Sequence, residues 1–296
     1  MRVSLAVALL LSSAGALAAQ SSGRSDMPDG PQVVTTAWVA EHTSDPRVRL
    51  IEITMTDSAT ATIPGARQLP YARLVVREGG LSTQLPPADT LRARFAALGV
   101  SDGDLVVVFA HQGPMATRAL FSLAALSHAR YAYLDGGLAR WRAEGRPVAP
   151  PAPVPAPGRM SAQPPRDVVA SADWMLGRLG KPGTGLIDTR TTGEYNGSGN
   201  RSGMPSAGHL AGARQLEWED LFADSAITLK PRAELERLFA ERVRAGDQVA
   251  TYCWVGYRAS ATWFIAHWLG YDARLFDGSY QEWQLRNLPT VAGGTP

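Results

Sequence analysis

Residues 246–258 read GDQVATYCWVGYR, and residues 103–115 read GDLVVVFAHQGPM. Each opens on a Gly-Asp turn and continues in a run rich in β-branched and aromatic residues. Each ends in a glycine-bearing stretch ahead of an apolar helix, predicted over Ala259–Leu269 and Thr117–Leu126. Apolar runs of this length bounded by turn residues read as buried strands, Gln248–Tyr252 and Leu105–Phe109. A buried strand feeding a helix through a short loop is the unit of a mostly parallel sheet covered on both faces.

The correspondence extends outward. Gly65-Ala66-Arg67-Gln68-Leu69 recurs as Gly212-Ala213-Arg214-Gln215-Leu216. Leu85-x-Pro87 with Phe95-Ala96 recurs as Leu229-x-Pro231 with Phe239-Ala240, and Asp135-Gly136-Gly137 with Trp141 as Asp277-Gly278-Ser279 with Trp283. The offsets, 147, 144, 143 and 142 in different segments, drift as small insertions in a repeat would. A repeat of this length is domain-sized, so the chain reads as a duplicated domain and not a solenoid. Short strands at Leu50–Thr54, Tyr131–Leu134, Gly185–Asp188 and Ala273–Phe276, with Pro-opened helices at Ala88–Leu98 and Arg232–Arg244, complete the alternation. The expected fold is α/β: two duplicated domains, residues 31–148 and 166–292, each a mostly parallel sheet flanked by helices. Between them APPAPVPAPGRMSAQPP, residues 149–165, reads as an extended linker.

Composition narrows the function. Of 296 residues 45% are hydrophobic and 19% charged, an ordinary globular mixture. The net charge of +2 gives no ground for nucleic-acid binding. The first residues run MRVSLAVALLLSSAGALAAQ, with an apolar stretch from Val3 to Leu11 and an A-x-A site at Ala16-Leu17-Ala18. Residues 1–18 read as a cleavable signal peptide, implying a periplasmic, exported protein with no membrane span after cleavage. Residues 20–30 read as a flexible leader. Cys253 is the single cysteine, so no internal disulfide forms, and multi-cysteine zinc sites are excluded. A lone thiol in an oxidising compartment is either buried and inert or kept for its reactivity.

The position of Cys253 favours reactivity. It closes a predicted strand, and sites in open α/β sheets lie at the carboxyl ends of strands, against helix N-termini. A loop there turns successive N–H groups inward, and Arg258 adds a positive charge, so a thiol at its head becomes more acidic. The first half carries Ala110 at the Cys253 position, Gly113 in the loop and Met115 opposite Arg258, so it reads as catalytically empty. His111 there reads as a loop residue, without an acid or nucleophile at motif spacing.

Together, Cys253-x-x-Gly256-x-Arg258, the upstream Gly208-His209-Leu210-Ala211-Gly212-Ala213 and the downstream Asp277-Gly278-Ser279 with Trp283 resemble the rhodanese sulfurtransferases. The duplication is similar to the tandem thiosulfate and 3-mercaptopyruvate enzymes, over nearly all of residues 31–292. The resemblance implies an inactive first domain, a persulfide on Cys253 and no metal or organic cofactor. It implies that Arg190, in Asp188-Thr189-Arg190, meets an anionic donor with Arg258, around a pocket of Trp254, Val255, Gly256 and Tyr257. Asp188, His209 and Asp277 are supporting residues, His209 read as structural and Asp277 as a turn former. In the first half Ile63-Pro64-Gly65-Ala66 keeps part of the upstream element, with Thr62 at the His position.

The chain also departs from the family pattern. Trp254 and Val255 replace the basic residues that follow the cysteine in many thiosulfate enzymes, and the loop lacks the Ser/Thr of the mercaptopyruvate type. Glu194 stands where a second arginine is usual; Arg201 either replaces that charge or is a solvated loop residue. Trp254 and Tyr257 are expected to form an aromatic rim suited to a bulkier donor or a protein acceptor. The expected reaction moves a sulfane sulfur from a thiosulfate-like donor to a thiol, cyanide or protein-cysteine acceptor. The rivals are a persulfide carrier or redox-sensing, partner-binding module, and a Cys-dependent phosphatase, whose loop is typically one residue longer than the six positions from Cys253 to Arg258.

Overall fold

The computed structural model describes residues 29–57, 60–199, 208–224 and 227–296. The leader expected over residues 1–18, and Arg201, lie outside the described residues. In chain order the strands are β1 (Gly30–Val34), β2 (Val48–Thr54), β3 (Arg67–Pro70), β4 (Val76–Glu78), β5 (Leu81–Gln84), β6 (Leu105–Ala110), β7 (Arg130–Leu134), β8 (Val169–Ala170), β9 (Thr184–Asp188), β10 (Ala213–Gln215), β11 (Gln248–Tyr252) and β12 (Ala273–Phe276). The helices are α1 (Thr36–His42), α2 (Ala88–Ala97), α3 (Gly113–Ala125), α4 (Gly137–Ala143), α5 (Ala172–Leu176), α6 (Thr192–Asn196), α7 (Arg232–Ala240), α8 (Ala259–Trp268) and α9 (Ser279–Leu285).

The first half forms the sheet β1-β7-β6-β2-β3 and the second β8-β12-β11-β9-β10, the same order strand for strand. Every pairing within these sheets is parallel. Parallel strands need crossovers, and the helices supply them, covering both faces. The α/β duplication read from the sequence is therefore the architecture. Strand β6, Leu-Val-Val-Val-Phe-Ala, is buried at every position, as a central strand covered on both faces must be.

Helices α3 and α8 pack on each other across the two halves. Both are apolar nearly all round, because one face lies on the helix's own sheet and the other on its counterpart. Phe121 meets Trp263 edge-on at 4.9 Å, and the Thr117 and Ser260 hydroxyls pair at 2.8 Å. Each large side chain fully buried there stabilises by about 1.5–3 kcal/mol. Residues 149–165 run without helix or strand, pinned to the first half: Ala152 N–H donates to Ala66 O at 2.8 Å and Gly158 N–H to Ala96 O at 2.8 Å.

Helix α7 ends at Ala240, four residues short of the expected Arg244, and two further differences bear on the site. Helix α3 starts at Gly113, four residues ahead of the expected Thr117, so Gly113 is helical and not a loop residue. Pro114 causes this: its fixed φ and missing N–H suit the first turn of a helix. The second is the antiparallel hairpin β4–β5, turned at Gly79-Gly80, both with positive φ. It reaches across to α9, where Ser82 N–H donates to Gln281 Oε1 at 3.0 Å.

Candidate active site

Strands β9 and β11 pair in register up to Asp188 opposite Tyr252, so both end at one edge of the sheet. Thr189 N–H donates to Tyr252 O at 2.9 Å. Cys253 and the Asp188-Thr189-Arg190 segment therefore emerge side by side, at the carboxyl edge where such sheets carry their sites.

Cys253 is 0% exposed. Its N–H donates to Ser279 Oγ at 3.3 Å, and its carbonyl accepts from Tyr280 N–H at 3.0 Å. Ser279 holds φ +51, a left-handed conformation uncommon for a residue with a Cβ, and its hydroxyl also donates to Phe276 O at 2.7 Å. The turn at Asp277-Gly278-Ser279 thus braces the head of the loop. After Cys253 the chain does not become helical until Ala259. Among the described residues, no protein acceptor pairs with the N–H groups of Trp254, Val255, Gly256, Tyr257 or Arg258. Gly256 turns the loop at φ +80, and a Cβ there would sit 2.8 Å from Asp277 O, so both backbone and space require glycine.

The first half closes the site. Arg118 of α3, 0% exposed, donates from Nη1 to Asp277 Oδ1 at 2.5 Å and from Nη2 to Thr83 O at 2.8 Å. The other Asp277 oxygen accepts from Leu85 N–H at 2.8 Å. Thr83 Oγ1 donates to Val255 O. Tyr257, half-buried, donates to Gln112 Oε1 at 3.0 Å and meets Tyr71 edge-on with ring centroids 5.4 Å apart. Burial pushes the Tyr71 phenol up to about 12, Cys253 and Asp277 adding to the rise while Arg118 opposes it; burial likewise raises Tyr257. Four groups, Tyr71, Arg118, Tyr257 and Arg258, lie in the electrostatic field of Cys253.

The structure corrects three expectations. Arg190 does not face a donor. It is 0% exposed, its guanidinium spent on the Asp188 carboxylate (Nη2 to Oδ2 2.6 Å) and on Gly208 O (2.8 Å), under the Tyr280 ring at 3.8 Å. Burial opposes its charge, and Asp188 more than compensates, raising its pKa. Arg258 stands beside Cys253, but its two outer nitrogens are held at 2.9 Å each by the two oxygens of Glu194. The Arg258 guanidinium thus supplies field and no open fork. Burial pushes Glu194 up, but hydrogen bonding to Arg258 and the α6 capping box outweigh it and lower its pKa. Trp254 is not on a rim: it is buried, tilted against Tyr280 at 5.5 Å in the second half's core.

The supporting residues are placed as follows. Asp188 is the buried partner of Arg190. His209 is fully buried, stacked on Tyr195 at 3.7 Å with Nδ1 on Tyr195 O at 2.9 Å. Asp277 is a latch between halves more than a turn former. Tyr71, Thr83, Gln112 and Arg118 were not singled out in the sequence. Arg118 had a signal: it is the one charged residue in GPMATRALFSLAA, and a charge inside a buried helix needs a partner. A cavity of about 790 Å³, lined by residues including Arg178, Lys181, Arg214 and Arg244, lies at the opposite end of the second sheet and includes none of these groups.

A Rhodanese-like domain matches residues 35–144 and again residues 171–286. The chain belongs to the rhodanese family. It is 30% identical to a thiosulfate sulfurtransferase of Azotobacter vinelandii, over 87% of this chain and 96% of that protein. It is also 30% identical to the sulfur carrier protein TtuD of Thermus thermophilus, over 89% and 98%. The crystal structure of SseA from Escherichia coli superposes with a TM-score of 0.73 at 23% identity, over 84% of this rhodanese and 98% of that chain, which shows the shared fold.

Proposed function

We propose that this rhodanese is a sulfurtransferase, moving a sulfane sulfur from thiosulfate or a similar small anionic donor to a thiophilic acceptor through a persulfide on Cys253. The loop carries the reading. A buried thiol stands at the head of consecutive N–H groups without protein acceptors among the described residues, a cradle for a sulfur anion. The name of the Azotobacter relative supports thiosulfate as the donor.

In the first step the Cys253 thiolate attacks the outer sulfur of thiosulfate. A sulfur–sulfur bond forms at Sγ, and the bond inside thiosulfate breaks with its electron pair leaving on sulfite. The negative charge passes to the outer sulfur of the persulfide, where the loop amides stabilise it. An acceptor thiolate, or cyanide, then takes that sulfur and restores the Cys253 thiolate. Neither step calls for a metal or organic cofactor. A second reading, a persulfide carrier loaded by another protein, is supported by the likeness to TtuD. Multiple turnovers with a small donor and acceptor would decide for the enzyme, a single loading for the carrier.

The test is intact mass after incubation with thiosulfate, and separately with 3-mercaptopyruvate, followed by cyanide. A gain of about 32 Da, absent in Cys253→Ser and reversed by cyanide with thiocyanate released, is expected. No gain with either donor overturns small-donor sulfur transfer. The pattern of residues 1–18 supports export with cleavage ahead of Ala19. N-terminal sequencing of the protein from periplasmic extract tests that; an intact Met1 would refute it.

A further inference from the structure

Of the buried side-chain donors that have no acceptor among the described residues, two from the first half stand at the site: the Tyr71 hydroxyl and the Arg118 Nε–H. An orphaned buried donor costs free energy and calls for an explanation. Both belong to side chains already tied to the site. Tyr71 packs edge-on against Tyr257 of the loop, and Arg118 Nη1 lies 3.4 Å from where a Cβ of Gly256 would be. The hydroxyl of Tyr257, by contrast, is taken by Gln112. Both side chains also lie in the field of Cys253.

We infer that Tyr71, with Arg118 beside it, is a catalytic residue contributed by the first half, its hydroxyl donating to the outer sulfur of the Cys253 persulfide. The inference rests on the sulfur-transfer reading above. The geometry separates the two anions that Cys253 alternates between. The outer sulfur stands one S–S bond, about 2.05 Å, beyond Sγ, and would then lie on the side of Tyr71 and Arg118. A donor there favours the loaded enzyme over the free thiolate. Tyr71 is suited to the task because burial keeps it protonated, so it donates and adds no negative charge. The loop amides are then one half of the anion cradle and Tyr71 with Arg118 the other.

The test is an equilibrium. Loading by thiosulfate releases sulfite, so at a fixed thiosulfate-to-sulfite ratio the loaded fraction, read by intact mass, reports how much more tightly the protein holds persulfide than thiolate. Tyr71→Phe removes one oxygen and keeps the ring against Tyr257. It should shift the loaded-to-unloaded ratio about tenfold or more toward the unloaded enzyme, with a thermal midpoint of the unloaded protein that is unchanged or raised, since an orphaned donor is removed. Arg118→Lys, which keeps the charge against Asp277 and removes the Nε donor, should shift it the same way. Rates that fall in both directions with an unmoved ratio would mean a merely structural role and overturn the inference. If the wild type does not load at all, the sulfur-transfer reading falls first. If it loads and Tyr71→Phe loads equally, only the role of Tyr71 falls.

Discussion

The strand-to-helix junctions of the two halves began as the same segment. β6 ends on Ala110, and the chain then runs His111, Gln112 and is helical from Gly113; after β11 it runs from Cys253 to Arg258 and is helical only from Ala259. Gly113 and Gly256 stand at the same repeat position, yet one is the first residue of a helix and the other holds φ +80 in a loop. In the first half those amides open helix α3, and in the second they have no protein acceptor among the described residues. The aspartates of the two Asp-Gly turns differ in the same sense. Asp135 accepts Leu229 N–H at 2.8 Å and Asp277 accepts Leu85 N–H at 2.8 Å, a reciprocal exchange between the two halves. Asp135 takes its cation from Arg140 of its own half, whereas Asp277 takes Arg118 from the opposite one. The half without a nucleophile has become part of the other's site.

The largest effect should come from moving the nucleophile. Cys253→Ser abolishes the mass gain, and Ala110→Cys in that background does not restore it, because a thiol at Ala110 meets a helix already begun at Gly113 and no cradle. A mass gain in that double variant would show that the scaffold alone suffices and break the comparison. Next come the two cations. Arg118→Met leaves Asp277 buried and uncompensated and should cost about 3–5 kcal/mol in urea unfolding. Arg140, its side chain 37% exposed, should cost about 1 kcal/mol or less on the same change. Equal losses would mean that the two latches are equivalent.

The sequence showed the repeats, and with them the parallel sheets, because buried strands and Pro-opened helices are local patterns. Gln248–Tyr252 and Ala273–Phe276 have the observed bounds of β11 and β12. The early start of α3 was legible in Pro114, and the hairpin β4–β5 in Gly79-Gly80, a pair suited to a tight hairpin turn. The misplacement of Arg190 has a different origin. Its position after a strand points it toward the site edge, but its direction is set by Asp188 two residues away and by Tyr280 ninety residues on, and no local pattern carries that. Tyr71, Thr83 and Gln112 were illegible for the same reason: each acts across the junction between halves.

Gly256→Ala sharpens the contrast at the loop. The substitution meets a left-handed backbone and a contact of 2.8 Å to Asp277 O, and should cost about 1–2 kcal/mol of stability. Its effect on loading should be larger, roughly tenfold to a hundredfold in rate, because a shift of the loop misaligns the amides and thiol together. A variant that loads at the wild-type rate would show that the loop tolerates another path.

The last contrast concerns a pair that only the second half has. Met115, buried in the core, occupies the position of Arg258, so the first half has no counterpart of the Glu194–Arg258 fork. Burial works against the Glu194 charge, but its hydrogen bonds to Arg258 and to the Thr191 cap hold its pKa below the ordinary glutamate value. A carboxylate depressed on folding contributes stability that is fully present above its unfolded pKa of about 4.3 and is lost as pH falls through the folded value. Glu194→Gln should therefore be less stable than wild type at pH 7 by about 1–2 kcal/mol, with the gap closing as pH drops below about 4. A gap that persists unchanged at low pH would mean that the cap and the packing, and not the charge, fix Arg258 beside the thiol.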